Sequence, residues 1–265
     1  MKKNLFVILF FFLCINPFLS SPALCQVRIM PLGDSITYGI GDPDENGYRL
    51  RLWDLLIANG YEVNFVGSLK SGSLNGGFDS NHEGHSGWTA YEIAGDLRPW
   101  LNTYRPNIVL LHIGSNGLEA SPDGVSQILD EIFAYNSNTW VVLSLIINRA
   151  CCLSTPICPE CPLTTDFNNN VREMAQTRID SRGENILIVD MESGAGIDYG
   201  IEPGGDMSDN EHPFTSGYRK MADVWFDALN TILPDIETDN SGGSGGSKSG
   251  GGGGGGSCFI SATMK

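Results

Sequence analysis

Four short segments carry the side chains that could do chemistry. Gly33-Asp34-Ser35-Ile36-Thr37-Tyr38-Gly39 offers a serine in a turn. Gly84-His85-Ser86-Gly87-Trp88-Thr89 offers a glycine-flanked turn, and His112-Ile113-Gly114-Ser115-Asn116-Gly117 an amide. Ser208-Asp209-Asn210-Glu211-His212-Pro213 sets an acid three residues before an imidazole. A serine raised at the end of a strand becomes a nucleophile once a base takes its proton. The base needs a carboxylate to hold its tautomer, and the oxyanion needs N–H donors. The four segments together hold the parts that acyl transfer requires.

The elements that must position these parts follow from periodicity. Five apolar, β-rich runs occur at 27–32, 62–66, 107–112, 140–147 and 185–189. Amphipathic stretches at 49–58, 90–101, 124–135 and 166–178 lie between them, and one at 216–233 follows the last. Leu52, Leu55 and Leu56 share a helical face, as do Met221, Val224, Trp225 and Leu229. Strand–helix alternation predicts an α/β fold, a parallel sheet covered on both faces. Ligands of such sheets bind beyond the C-terminal strand ends, where these segments stand.

Gly33-Asp34-Ser35, Gly87, Gly114-Ser115-Asn116 and Asp209-x-x-His212, in this order, resemble the four blocks of the GDSL/SGNH hydrolases. The likeness spans roughly 27–230. His82-Glu83-Gly84-His85-Ser86-Gly87-Trp88 and Asn46-Gly47-Tyr48-Arg49 further resemble carbohydrate esterase family 3, which contains acetyl xylan esterases. The resemblance implies a three-layer α/β/α sandwich on a five-stranded parallel, flavodoxin-like sheet. It implies Ser35 as nucleophile, His212 as general base and later acid, and Asp209 as the orienting carboxylate. The N–H groups of Ser35 and Gly87 and the Asn116 amide would form the oxyanion hole. Losing one such donor costs roughly 100- to 1000-fold in turnover. The implied reaction is hydrolysis of acetyl esters on a carbohydrate such as acetylated xylan, without a cofactor or metal. The third block of the family commonly reads Gly-x-Asn-Asp, and Gly117 stands here in place of the Asp. The family also holds lipid-directed hydrolases, and a surface carbohydrate-binding protein that has lost catalysis is the rival outside enzymes. Glu211 and Asp206 are near enough in sequence to compete with Asp209 as the orienting acid.

Other features have plainer readings. Asp34, Tyr38, Trp88 and Phe214 flank the catalytic positions and are candidate substrate contacts. Asp42-Pro43-Asp44-Glu45-Asn46-Gly47 opens like a calcium loop, but position twelve would be Trp53 where a bidentate Glu is needed, so it reads as a solvated turn. His82 and His85 stand one residue too close for zincin spacing, and loop packing is the better reading. His112, inside the third strand, reads as a satisfied core histidine. Gly-x-Ser-x-Gly at 242–246 has no strand or helix around it and is an accident of composition. Cys151, Cys152, Cys158 and Cys161 crowd one loop after the fourth strand. In an exported chain they predict two disulfides, with a zinc site as the alternative.

Lys and Arg total 16 against 31 Asp and Glu, a net charge of −15 over 265 residues. Such an acidic chain lacks the cation clusters that nucleic acid or anionic membranes require. Its 41% hydrophobic content argues against a wholly disordered chain. Met1-Lys2-Lys3, an apolar run over 5–15 and Ser21-Pro22-Ala23 predict a signal peptide over 1–23. The run is too short to span a bilayer, so a secreted or cell-surface location without membrane insertion is expected. The hydrolase domain is expected over 24–235 and a Gly/Ser linker over 236–257. The segment 258–265 reads either as a sorting tail for surface attachment or as a disordered end. Because a histidine base must be neutral, activity is expected to rise through roughly pH 6 to 7. A kcat/KM profile that is flat across that range would exclude His212 as the base.

Overall fold

The computed structural model describes residues 26–73, 77–149 and 161–241. The expected signal peptide, most of the Gly/Ser linker, the 258–265 tail and the 242–246 motif lie outside the described residues.

The strands are β1 (Val27–Gly33), β2 (Val63–Phe65), β3 (Leu69–Lys70), β4 (Asn81–Gly84), β5 (Ile108–His112), β6 (Trp140–Leu145) and β7 (Ile186–Asp190). The helices are α1 (Ser35–Tyr38), α2 (Gly47–Ala58), α3 (Ala90–Tyr104), α4 (Asp123–Tyr135), α5 (Pro162–Arg182) and α6 (Thr215–Ser241). The sheet order is β3-β4-β1-β5-β6-β7, with β2 also paired to β1. The five expected strands are β1, β2, β5, β6 and β7, and their mutual pairings are parallel. The strand count needs correction: β3 and β4 extend the sheet to seven strands, and β3 is antiparallel to β4. Neither contains an apolar run, and β4 buries His82 and Glu83, so periodicity could not find them.

β1 feeds both faces. Val27 and Ile29 pack with α2 and α6, through Leu52, Leu56, Met221, Trp225 and Leu229. Met30 and Leu32 pack on the other side with Ile93 and Leu97 of α3, Val125 and Ile128 of α4 and Val171 of α5. Every residue of β5 is buried, which is why its sequence reads as continuous apolar strand. The result is the three-layer α/β/α sandwich. Among the described residues, no helix is long and apolar enough to cross a membrane. α6 continues to Ser241, beyond the expected domain boundary at 235.

The expectation of two disulfides among Cys151, Cys152, Cys158 and Cys161 is not met within the described residues. Among the described residues no disulfide joins two of the four candidates, and Cys151, Cys152 and Cys158 lie outside those residues. Cys161 alone is described. It is fully buried at the head of α5, its sulfur is not a free thiol, and its N–H donates to Asn148 Oδ1 at 2.7 Å.

The core makes a contrast that can be measured. Leu229 is fully buried between α6 and the sheet, whereas Ile57 on α2 is 48% exposed. Leu229→Ala should lower the unfolding free energy by about 2–5 kcal/mol, and Ile57→Ala by no more than about 0.5 kcal/mol. Urea denaturation of both variants checks the assignment of faces.

Candidate active site

β1 ends at Gly33, and the chain turns at once into α1. Asp34 caps that helix, its Oδ1 accepting from the Ile36 N–H at 3.0 Å. Ser35 opens the helix, so its own N–H has no intrahelical acceptor. A side chain at 33 would not fit: a Cβ there would stand 2.1 Å from the His112 carbonyl oxygen.

The structure brings Ser35, His212 and Asp209 into one row. Ser35 Oγ lies 2.9 Å from His212 Nε2, and His212 Nδ1 lies 2.9 Å from Asp209 Oδ2. The acid fixes the tautomer: Nδ1–H donates to the carboxylate, so Nε2 is left to accept from the serine hydroxyl. Asp209 Oδ1 accepts from the backbone N–H groups of Glu211 and His212, each at 2.7 Å. Burial raises the Asp209 pKa, but the hydrogen bonds from His212 and these two N–H groups outweigh it and hold the carboxyl below its ordinary value. The two rival acids are engaged elsewhere. Glu211 Oε1 pairs with Arg149 at 3.1 Å, and Asp206 Oδ2 accepts from Lys220 Nζ at 2.5 Å and from the Asp198 N–H at 2.8 Å.

The donor candidates stand on two neighbouring loops. Gly87 is exposed on the loop after β4 with φ +84°, a conformation that suits glycine. His85 N–H binds the Gly33 carbonyl at 2.9 Å, tying that loop to the end of β1. Its far end is fixed by a capping box: the Glu92 N–H donates to Thr89 Oγ1 at 3.3 Å, and the Thr89 N–H donates to Glu92 Oε2 at 2.8 Å. Asn116, four residues beyond β5, donates from Nδ2 to the Trp88 carbonyl at 3.0 Å, so the two loops orient one another. Gly117 is exposed, with φ +61°.

The other expected contacts fall in different places. Asp34 has no exposed surface and lies beneath the serine. Tyr38 is partly exposed and meets His82 edge-on at 5.5 Å. Trp88 and Trp100 both stack on His85 at 4.5 Å, and His85 Nε2 lies 2.9 Å from the buried Glu83 carboxylate. Phe214 is half-buried, its N–H donating to the Asp206 carbonyl at 2.7 Å. His82 is internal: Gly84 N–H donates to its Nδ1 at 2.9 Å, so Nε2–H donates to Ser71 Oγ at 2.9 Å. Burial pushes its pKa down to about 2. Among the described residues, no three His, Cys, Asp or Glu gather as a metal set. His112 is only half satisfied, since Nε2 accepts from the Ile147 N–H at 3.2 Å while buried Nδ1 has no partner.

Two structural anchors were not legible as such. Asp42 is buried: Oδ2 accepts from Asn46 and Gly47 N–H at 3.0 and 3.2 Å, and Oδ1 from Thr215 Oγ1 at 2.6 Å. The expected solvated turn is therefore an anchor for the start of α6. A cavity of about 670 Å³ opens beside it, lined by Arg51, Asp54, Arg219 and Asp223 among others, away from Ser35 and His212. Arg49, fully buried, donates to the carbonyls of Thr37, Tyr38, Glu45, Ser71 and Ser80 and fixes the turn that follows the serine. Its position on the apolar face of α2, in line with Leu52 and Leu56, was the available signal.

The pattern of the GDSL-like lipase/acylhydrolase family matches residues 32–220. A multidomain esterase of Ruminococcus flavefaciens is 30% identical over 250 residues, covering 80% of this chain and 30% of that protein. The chain thus spans about 30% of the length of this curated relative. A family 3 carbohydrate esterase of Clostridium thermocellum is 30% identical, with a TM-score of 0.68 over 80% of this chain and 100% of that one. One from Talaromyces cellulolyticus is 25% identical, with a TM-score of 0.66 and the same coverage.

Asp34 makes the site sensitive to pH through stability. Burial pushes its pKa up to about 6; the nearby Glu211 carboxylate adds to the rise, while Ile36 N–H, Ser115 and His212 oppose it. Its Oδ2 is buried without a hydrogen-bond partner among the described residues. The folded state then holds the proton more tightly than the unfolded chain. Stability from this group is fully present below about pH 4 and is lost as pH rises through about 6. Asp34→Asn should remove that loss. From pH 4 to 7, wild type should fall relative to the variant by on the order of 3 kcal/mol in unfolding free energy. A constant difference between the two proteins would show that Asp34 ionises as it does in water.

Proposed function

The chain belongs to the GDSL-like lipase/acylhydrolase family of carboxylic ester hydrolases, and on that premise we propose that it removes acetyl groups from a carbohydrate through an acyl-serine intermediate. The observation that carries the reading is the continuous Asp209–His212–Ser35 hydrogen-bonded row. Ser35 Oγ attacks the ester carbonyl as its proton passes to His212 Nε2. The oxyanion is held by the N–H groups of Ser35 and Gly87 and the Asn116 amide. Collapse expels the sugar alcohol, which takes the proton from His212. Water then attacks the acyl-serine, gives its proton to His212 and releases acetate, and the proton returns to Ser35. Asp209 supports each imidazolium by accepting from Nδ1–H.

The substrate class rests on likeness to family 3 carbohydrate esterases. Export through the expected signal peptide would bring the enzyme to extracellular polysaccharide such as acetylated xylan.

Acetate release from acetylated xylan and hydrolysis of 4-nitrophenyl esters of increasing chain length test the reading. Release from xylan is expected, with rates falling steeply beyond acetyl. Ser35→Ala should cost roughly 1000-fold or more in kcat. Activity retained in Ser35→Ala would overturn the serine mechanism, and equal rates on acetyl and octanoyl esters would overturn the acetyl assignment.

A further inference from the structure

We propose that Arg149 is a positioning residue that locks the loop carrying Asn116 to the loop carrying His212. The inference rests on the serine-esterase reading above. Arg149 lies four residues beyond β6, between the segments that follow β5 and precede α6. Its Nη2 donates to the Ser115 carbonyl, the peptide group directly before Asn116. The same nitrogen pairs with Glu211 Oε1 at 3.1 Å. Glu211 stands between Asp209 and His212, and its own N–H is held by Asp209 Oδ1 at 2.7 Å. Among the described residues, no other hydrogen bond joins these two loops.

The guanidinium is aimed from a fixed base. The Arg149 N–H donates to Asn148 Oδ1 at 2.7 Å. Asn148 is fully buried; its Oδ1 also accepts from Cys161 N–H at 2.7 Å, and its Nδ2 donates to Glu192 Oε1 at 2.7 Å. A cationic donor suits the task because one nitrogen can serve a neutral carbonyl and a carboxylate together. The pair is partly wet, the side chains being 23% and 32% exposed, so its contribution to stability is small. Its leverage is on geometry. A transition-state donor and a base displaced relative to each other by about 1 Å can cost roughly 100-fold in rate.

The test is steady-state kinetics on 4-nitrophenyl acetate with Arg149→Ala, Arg149→Lys, Glu211→Gln and the Ala/Gln double variant, with Ser35→Ala as reference. Arg149→Ala and Glu211→Gln should each lower kcat by about tenfold or more, with KM within about twofold of wild type. Arg149→Lys should restore most of the loss. The double variant should be no worse than the poorer single one, because both remove the same contact. Wild-type kcat in Arg149→Ala, or a loss carried by KM alone, would overturn the proposal. Should Arg149→Ala fail to fold, Glu211→Gln decides, and a wild-type kcat there overturns it. An active Ser35→Ala would instead sink the serine reading; an inactive one beside wild-type Arg149 and Glu211 variants would sink only the role of Arg149.

Discussion

β1 and β5 approach one another so closely at the site that no side chain fits between the last strand residue and the first turn. Gly33 pairs with His112, and a Cβ on it would meet the His112 oxygen at 2.1 Å and Thr37 Oγ1 at 2.5 Å. On the other flank, a Cβ on Gly84 would stand 2.5 Å from the Tyr38 N. The serine turn is thus laid down on two glycine positions of adjacent strands. That contact sets the height of Ser35 above the sheet. It also brings the His85–Trp88 and Ser115–Asn116 loops, which leave the neighbouring strands, to either side of Ser35. The three loops share one frame because their strands share one edge.

The frame contains an unusual cost. Arg49 is a buried cation whose hydrogen bonds go to five backbone carbonyls and the Ser71 hydroxyl, with no carboxylate among them. Desolvation pulls its pKa down to about 10, so it still carries its charge at neutral pH. A buried charge is tolerated when its donors are met, and here oriented peptide dipoles meet them. The turn after Ser35 and the carbonyls of Ser71 and Ser80 are held by that one side chain. Rigidity beneath Ser35 therefore comes from a polar cluster, where the rest of the domain relies on aliphatic packing.

Much of this was readable before any coordinates. The β5 run and the α6 stripe announced themselves because burial on both sheet faces demands continuous or periodic apolar residues. The Asp209-x-x-His212 spacing was readable because both residues sit on one short loop, where sequence distance is close to spatial distance. Legibility ended where polar groups do structural work. β4 carries a buried His82 and Glu83, Asp42 closes a turn, and Arg49 lies on a core face, all against the hydrophobic pattern. The link from Arg149 to Ser115 and Glu211 joins segments far apart in the chain, and no local spacing encodes it.

The Ser35–His212 hydrogen bond spans 177 residues of chain. Synthesis from the N-terminus delivers Ser35 long before His212. A nascent chain lacking the segment before α6 therefore has a hydroxyl without a proton acceptor. The Ser35–His212 contact therefore forms only after the chain through that segment has emerged and closed back upon β1.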